Sequence, residues 1–559
     1  MEYKFVSDIY KEINCFLRVR KGVKSTQVIL KNDKGEIIQS KELLEGQATW
    51  IKWELTEKSQ YLIELDNVEI GEIYLSECPN IIQKSISYLV ENPKTTELIA
   101  PNLQKWYDVP EREQYHFTPF KNWMNDPNGL CFYQGFYHMF YQKNPFDQVW
   151  GNMYWGHALS KDLMHWRHLP VAFEPQEDII RNTEKLGGAF SGSICEIDNK
   201  LVAFFTRDSE LKNGKGRVEQ YQVRAESKDS IHFDKEKIII PSFSVLNASH
   251  NFRDPKITYI DGSWYIVLGS QIDGKAAILL YKSYDLETWN YLHPLLIEEE
   301  PEVEAFECPD FFYLDGKYVA VGAWMSYKDK YGRFNPTRYY IGDFVNEKYT
   351  VEESGFCDFG CDYYAIQSFY GTERRISMGW ITDWYNRQKP YTNGSKGSMS
   401  LPRELHIIDN HLYQQPAEEI YSMIDKKVVE VSAKNISLDC IDGNAFLVQI
   451  EFEEETDFNI VFARSEEREY SLMKKGERIE ITGENSDVQY IAPIRQVQYL
   501  EIFVDRRMVE IFINHGECVG TKMIATNTKK GLLRTNFKSI YAVRCVKVST
   551  LKSAWEEEL

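Results

Sequence analysis

The chain has 559 residues, too many for one core, so two or three domains are expected. Lys+Arg 65 against Asp+Glu 84 give a formal charge of -19, which argues against nucleic acid and anionic membrane as partners, since both need a basic footprint. Aromatic residues make up 14% and suit both strands and sugar-facing surfaces, so their number alone does not separate core from site.

The opening Met1-Glu2-Tyr3-Lys4-Phe5-Val6-Ser7-Asp8 lacks the basic-then-apolar pattern of a signal peptide, and no apolar run reaches membrane-spanning length. The 10 cysteines are scattered without a spacing pattern and read as free thiols. Cys-x-x-Cys pairs and His-Glu-x-x-His are absent, so no metal or other cofactor is expected. Sequons at Asn247, Asn393 and Asn435 carry no weight without secretion, and the expected location is cytoplasmic.

Residues 1–80 alternate apolar and polar positions between turns such as Asn32-Asp33-Lys34-Gly35. They read as a small β-domain of hairpins without chemistry of its own, used for packing, as an oligomer surface or for carbohydrate binding. Residues 81–112, with Pro93, Pro101 and Pro110, read as a linker holding one short helix. Residues 113–410 contain a repeat in which a strand ends in a turn and a second, aromatic-rich strand follows. Five second strands stand out, starting at Gly135, Lys200, Gly262, Gly316 and Arg375. Their spacing of roughly 55–65 residues is somewhat longer than the usual propeller repeat. A second signature keeps the same beat: Ser160-Lys161-Asp162 with Trp166, Ser227-Lys228-Asp229 with Phe233, and Ser283-Tyr284-Asp285 with Trp289. The reading is an all-β protein: a five-bladed β-propeller, then a β-sandwich over 411–559.

The stretches before the first strands are Asn125-Asp126-Pro127, Phe190-Ser191-Gly192-Ser193, Phe252-Arg253-Asp254-Pro255, Glu307-Cys308-Pro309-Asp310 and Asp362-Tyr363-Tyr364-Ala365. If the units are radially equivalent, these meet at one end of a central channel. A ring of carboxylates makes a poor core, because unpaired buried charge costs several kcal/mol. It suits acid/base work, and without metal or nucleotide motifs it suits glycoside hydrolysis, where one carboxyl donates a proton and the other stays ionised.

These blocks, led by Trp123-Met124-Asn125-Asp126-Pro127-Asn128-Gly129, resemble the signature blocks of glycoside hydrolase family 32. Trp155-Gly156-His157-Ala158, Leu401-Pro402-Arg403-Glu404-Leu405 and the hairpin around Asp505 add to the resemblance, which covers residues from about 113 to 559. It implies a retaining β-fructofuranosidase. Asp126 would be the nucleophile, Glu307 the acid and then the base, and Asp254 the group that holds the furanose hydroxyls, with Arg253 beside it. Trp123, Asn125, Gln142, Trp150, Trp155, Phe190, Ser191, Cys308, Trp380 and Trp384 match or neighbour pocket positions.

The chain departs from the family pattern in its long N-terminal segment, in Leu186-Gly187-Gly188-Ala189 and in Tyr154, which puts the leaving group in doubt. The expected partner is a small carbohydrate: sucrose, sucrose 6-phosphate or a short fructo-oligosaccharide. Fructosyl transfer, an inverting five-bladed arabinosidase or xylosidase, and a non-catalytic sugar-binding propeller stay open as alternatives, as does a homo-oligomer.

Overall fold

A computed structural model describes residues 1–555 except 57, 361, 385–393, 467 and 484–487, so Cys361 and the sequon Asn393 lie outside the described residues. Two sheets form the N-terminal domain. One pairs Glu2–Val6, Gln60–Leu65, Ser25–Asn32 and Ile37–Leu44; the other pairs Ala48–Glu54, Glu12–Val19, Val68–Ser76, Ser87–Glu91 and Leu98–Ile99, each in that order. Ile13, Cys15, Leu17, Val28, Leu30 and Ile63 fill the space between them. Glu2–Val6 pairs with Gln60–Leu65, so this is not a simple run of hairpins.

The expected linker over 81–112 is partly sheet. Tyr88 and Leu89 are buried, and their strand joins Val68–Ser76; the flanking prolines masked a pattern only five residues long. The same stretch holds two short helices, Ile81–Lys84 and Leu103–Tyr107, rather than one. The second begins where the Asn102 side chain accepts a hydrogen bond from the Lys105 amide at 2.9 Å.

Five antiparallel sheets follow, each built on an inner strand: Asn122–Tyr133, Lys185–Ile197, Ala248–Ile260, Phe306–Leu314 and Tyr363–Ser368. Each inner strand packs against the next, and the fifth packs against the first, which closes the ring of a β-propeller. Ser395–Lys396 adds to the first sheet in parallel and helps close it. The second strands expected from sequence lie at Phe136–Asn144, Lys200–Leu211, Ser263–Ile272, Lys317–Trp324 and Ile376–Ile381.

The repeated Ser-x-Asp motif is a turn device. Asp162 Oδ1 accepts from the amides of Met164 and His165, Asp229 Oδ1 from Ile231 and His232, and Asp285 Oδ1 from Glu287 and Thr288. The last propeller sheet runs through His411–Pro416, past the expected boundary at 410, because Asp409 and Asn410 both take positive φ and turn Arg403–Ile408 back on itself.

Two six-stranded sheets between Ile424 and Leu551 form the C-terminal sandwich, with the hairpin Tyr499–Asp505 and Met508–Ile513 in one of them. That hairpin clamps the propeller. Asp505 accepts from the backbone amides of Gln114, Tyr115 and His116 at 2.6, 2.9 and 3.1 Å, and its Oδ2 lies 2.8 Å from His116 Nδ1. His116 Nε2 lies 3.0 Å from Glu510, and Glu510 also accepts from Arg403 at 2.6 Å. Burial pushes His116 down, but its bonds to Asp505 and Glu510 outweigh that and hold it up at about 9. No helix among the described residues is long and apolar enough to cross a membrane.

A histidine raised in the folded state contributes stability that is complete below its unfolded value, near 6.5, and is lost as pH rises through about 9. The apparent unfolding midpoint should therefore fall between these limits in the wild type and fall less in His116→Gln. Asp505→Asn breaks a buried ion pair and should cost about 3–5 kcal/mol. Removing the exposed pair Arg181–Glu177 should leave the midpoint nearly unchanged. Thermal scans at several pH values check all three.

Candidate active site

All five inner strands lose register with their neighbours at the same height. The breaks fall at Asn125-Asp126, Phe190-Ser191, Asp254-Pro255, Cys308-Pro309 and Ala365-Ile366. A bulge of this kind frees residues from the ladder and re-aims their side chains. Asp254, Cys308 and Ala365 also take positive φ, uncommon for residues with a Cβ. The stretches judged equivalent from sequence thus converge on one funnel of about 480 Å³.

Asp126, Asp254 and Glu307 all line it, with Trp123, Asn125, Gln142, Trp150, Phe190, Ser191, Arg253, Trp380 and Trp384. Asp126 Oδ2 accepts from Ser191 Oγ at 2.7 Å and lies 3.5 Å from Cys308 Sγ. Asn125 Oδ1 accepts from the Trp123 indole at 2.7 Å. Asp254 Oδ2 accepts from the Cys308 amide at 2.8 Å. Arg253 donates to Glu307 at 2.9 Å and to Asn251 at 2.7 Å, and the Tyr364 hydroxyl also donates to Glu307. Trp380, Trp384 and Tyr364 pack edge to face and form one wall.

Two expected pocket residues stand elsewhere. Trp155 is fully buried among Phe140, Phe173 and Phe205, and its indole donates to the Phe190 carbonyl at 2.9 Å. It props up a funnel residue without facing the funnel; its neighbours come from two sheets, which a linear pattern does not reveal. Cys308 sits behind the carboxylates on a small void shared with Gln367 and Pro255, because the bulge turns its side chain inward. Asp310, in the same block, is likewise outside the funnel: it pairs with buried Lys256 at 3.1 Å.

The sequence reading did not single out Asp208, Glu210, Gln220, Asn251, Met325, Asn335 and Tyr364, which also line the funnel. Tyr364 belongs to the stretch Asp362-Tyr363-Tyr364-Ala365. Asp208 and Gln220 come from the second and third strands of the second sheet, where only the pairing Asp208 to Gln220 brings them to the rim.

Burial pushes Asp126 up, opposed by the Ser191 hydrogen bond and helped by the charge of Glu307. Burial also pushes Asp254 up; Arg253 opposes, Glu307 and Asp126 add, and the carboxyl settles at about 7. Asp208 rises to about 7 as well, chiefly by burial, and its Oδ2 has no hydrogen-bond partner. Carboxyls grouped in one cleft and pushed up by burial mark a candidate acid/base site. Among the described residues no group of three His, Cys, Asp or Glu is placed to hold a metal.

The profile described as "Glycosyl hydrolases family 32 N-terminal domain" matches residues 116–416, and "Glycosyl hydrolases family 32 C terminal" matches 412–539. A sucrose-6-phosphate hydrolase of Zymomonas mobilis is 35% identical over 334 residues, covering 56% of this chain and 64% of its own length. One from Escherichia coli is 30% identical over 478 residues, covering 79% and 94%. A solved glycoside hydrolase family 32 structure from Bifidobacterium adolescentis superposes with a TM-score of 0.92 at 28% identity, covering 99% of this chain and 100% of that one.

The proton affinity of Asp208 carries a stability cost of definite sign. A carboxyl raised to about 7 destabilises the fold progressively as pH climbs from its unfolded value, near 3.9, through 7. Asp208→Asn should therefore raise the apparent unfolding midpoint at pH 8 and leave it nearly unchanged at pH 4. Tyr364→Phe removes the hydroxyl that donates to Glu307 and should lower kcat by about tenfold or more with a smaller change in KM, as expected for a group that fixes the position of a funnel carboxyl. Steady-state kinetics check the second, and thermal scans at both pH values the first.

Proposed function

The chain belongs to glycoside hydrolase family 32, and from that premise we propose that it is a retaining β-fructofuranosidase. The observation that carries this reading is the convergence of Asp126, Asp254 and Glu307 on one funnel from three different sheets. Asp126 attacks the anomeric carbon of a terminal β-fructofuranosyl unit. A bond forms from its carboxylate oxygen to that carbon while the glycosidic C–O bond breaks. The departing oxygen keeps the electron pair and takes the proton from Glu307. In the second half, Glu307 takes a proton from water, the hydroxide attacks the same carbon, and Asp126 leaves as carboxylate. Asp254 accepts hydrogen bonds from the sugar hydroxyls. Arg253 and Tyr364 hold Glu307 in place from two sides.

The same funnel favours a neutral substrate. Asp126, Asp208, Glu210, Asp254 and Glu307 line it, while Arg253, its only Lys or Arg among the described residues, is already paired with Glu307. A phosphate on the leaving sugar would meet like charge in a partly desolvated site, which is unfavourable. Free sucrose and unphosphorylated fructo-oligosaccharides therefore suit this chain better than sucrose 6-phosphate. Transfer of the fructosyl unit to a sugar instead of water uses the same residues and is the remaining alternative. A cytoplasmic location is part of the reading; the nine described cysteines are all free thiols, as a reducing compartment favours.

Fructose release should be faster per enzyme from sucrose than from sucrose 6-phosphate at equal low concentration. Asp126→Asn should reduce kcat by roughly 10⁴-fold or more while the protein still binds sucrose. Coupled assays for fructose on both substrates, with wild type and variant, check this. Comparable rates on the two substrates would overturn the charge argument, and an active Asp126→Asn would overturn the nucleophile.

A further inference from the structure

A second cavity, of about 500 Å³, lies beside the funnel in the seam between the N-terminal domain and the propeller. Arg18, Gly46 and Ala48 come from the N-terminal domain; Phe146, Asp147, Trp150, Asn152 and Tyr154 come from the first propeller sheet and its loop; Thr183, Leu186 and Lys212 come from the second. Its volume falls in the range of small-molecule sites, about 300–1,000 Å³.

The walls are fixed by contacts that cross the seam. Arg18 donates to Asp147 at 2.6 Å, and Phe16 packs on Phe146 and Tyr154 with ring centroids 5.9 and 5.7 Å apart. Asn122 Nδ2 donates to the Pro145 carbonyl at 2.6 Å, and a Cβ at Gly71 would fall 2.3 Å from that same oxygen. The N-terminal domain therefore sets the course of the loop that carries Trp150. At the far side, a Cβ at Gly46 would come within 3.1 Å of Thr183 Cγ2, so the domain also approaches the second sheet closely.

Three features of the lining point to a ligand. Trp150 lines both cavities, is 40% exposed, and packs edge to face against Phe190 in the funnel, so a chain leaving the funnel passes over one aromatic face. The lining mixes aromatic rings with amide, hydroxyl, carboxylate and ammonium groups, which match the C–H faces and hydroxyls of a sugar. Tyr154 and Leu186, two positions where the sequence departs from the family pattern, both face this cavity.

We propose that the seam between the N-terminal domain and the propeller is a saccharide subsite, which holds the distal units of a neutral fructo-oligosaccharide whose terminal unit sits in the funnel. The inference rests on the fructosidase reading of the funnel and adds a chain-length preference to it. It gives the N-terminal domain a direct part in substrate selection.

Ala48→Trp would fill the cavity from the N-terminal side, and Asn152→Ala would remove a polar side chain from its lining. Kinetics are measured on sucrose and on fructo-oligosaccharides of three, four and five units. The wild type should prefer the longer substrates, and both variants should lose roughly tenfold in kcat/KM on them while sucrose stays within about twofold. The sucrose rate also reports that the variants fold. If the variants and wild type share one chain-length profile, the subsite is overturned while the fructosidase reading stands. If the wild type cleaves none of these substrates, the fructosidase reading fails and the subsite goes with it.

Discussion

Three carboxylates have to share one desolvated funnel, and that single electrostatic constraint shapes the rest of the molecule. Asp254 is buried and Asp126 half-buried, and Arg253 supplies the only nearby guanidinium in the funnel lining among the described residues. Removing such groups from water costs several kcal/mol each unless hydrogen bonds replace the solvent. The replacement comes from Ser191 for Asp126, from the Cys308 amide for Asp254, and from Arg253 and Tyr364 for Glu307. Each donor lies on a different sheet from the acid it serves. The charges are therefore stable only while all five sheets stand at the right height, and the bulge repeated on every inner strand sets that height.

Holding five sheets in register is a task for the periphery. The Asp505 hairpin grips the backbone just before the first inner strand, and Arg403 ties Glu510 to Asp358 at the edge of the fifth sheet. Lys256 and Asp310 pair deeper in the channel, where Ser368 also donates to Asp310 at 2.6 Å. The N-terminal domain braces the opposite side through Arg18, Phe16 and Gly71. Chemistry at the mouth and packing at the rim are one problem: a rim that slips moves a donor away from a buried charge.

Much of this was legible in the sequence, for a physical reason. Each second strand follows a tight turn, and Gly135, Gly262 and Gly316 all take positive φ there, so the turns punctuate the chain visibly. The acid blocks were legible because each lies next to one of those strands. What sequence did not reveal depends on lateral pairing. Asp208 reaches the rim because it pairs opposite Gln220, a partner twelve residues away on another strand. Trp155 looked like a pocket residue because exposure and burial of an indole read alike in one dimension. The strand Ser87–Glu91 was too short to show a period, and only the edge offered by Val68–Ser76 makes it a strand. The second cavity was invisible for the same reason, since its lining is drawn from three separate sheets.

The central claim is that Asp126 forms a bond to the sugar while Glu307 manages the proton. The most direct measurement is mass analysis of Asp126-containing peptides from Glu307→Gln, quenched in acid during turnover of a fructoside with a good leaving group. The activated leaving group no longer needs the acid, while removal of the base slows release, so the intermediate should accumulate. The account predicts one fructosyl unit attached to Asp126. A fructosyl unit on another residue, or none while fructose is released with inverted configuration, would contradict it.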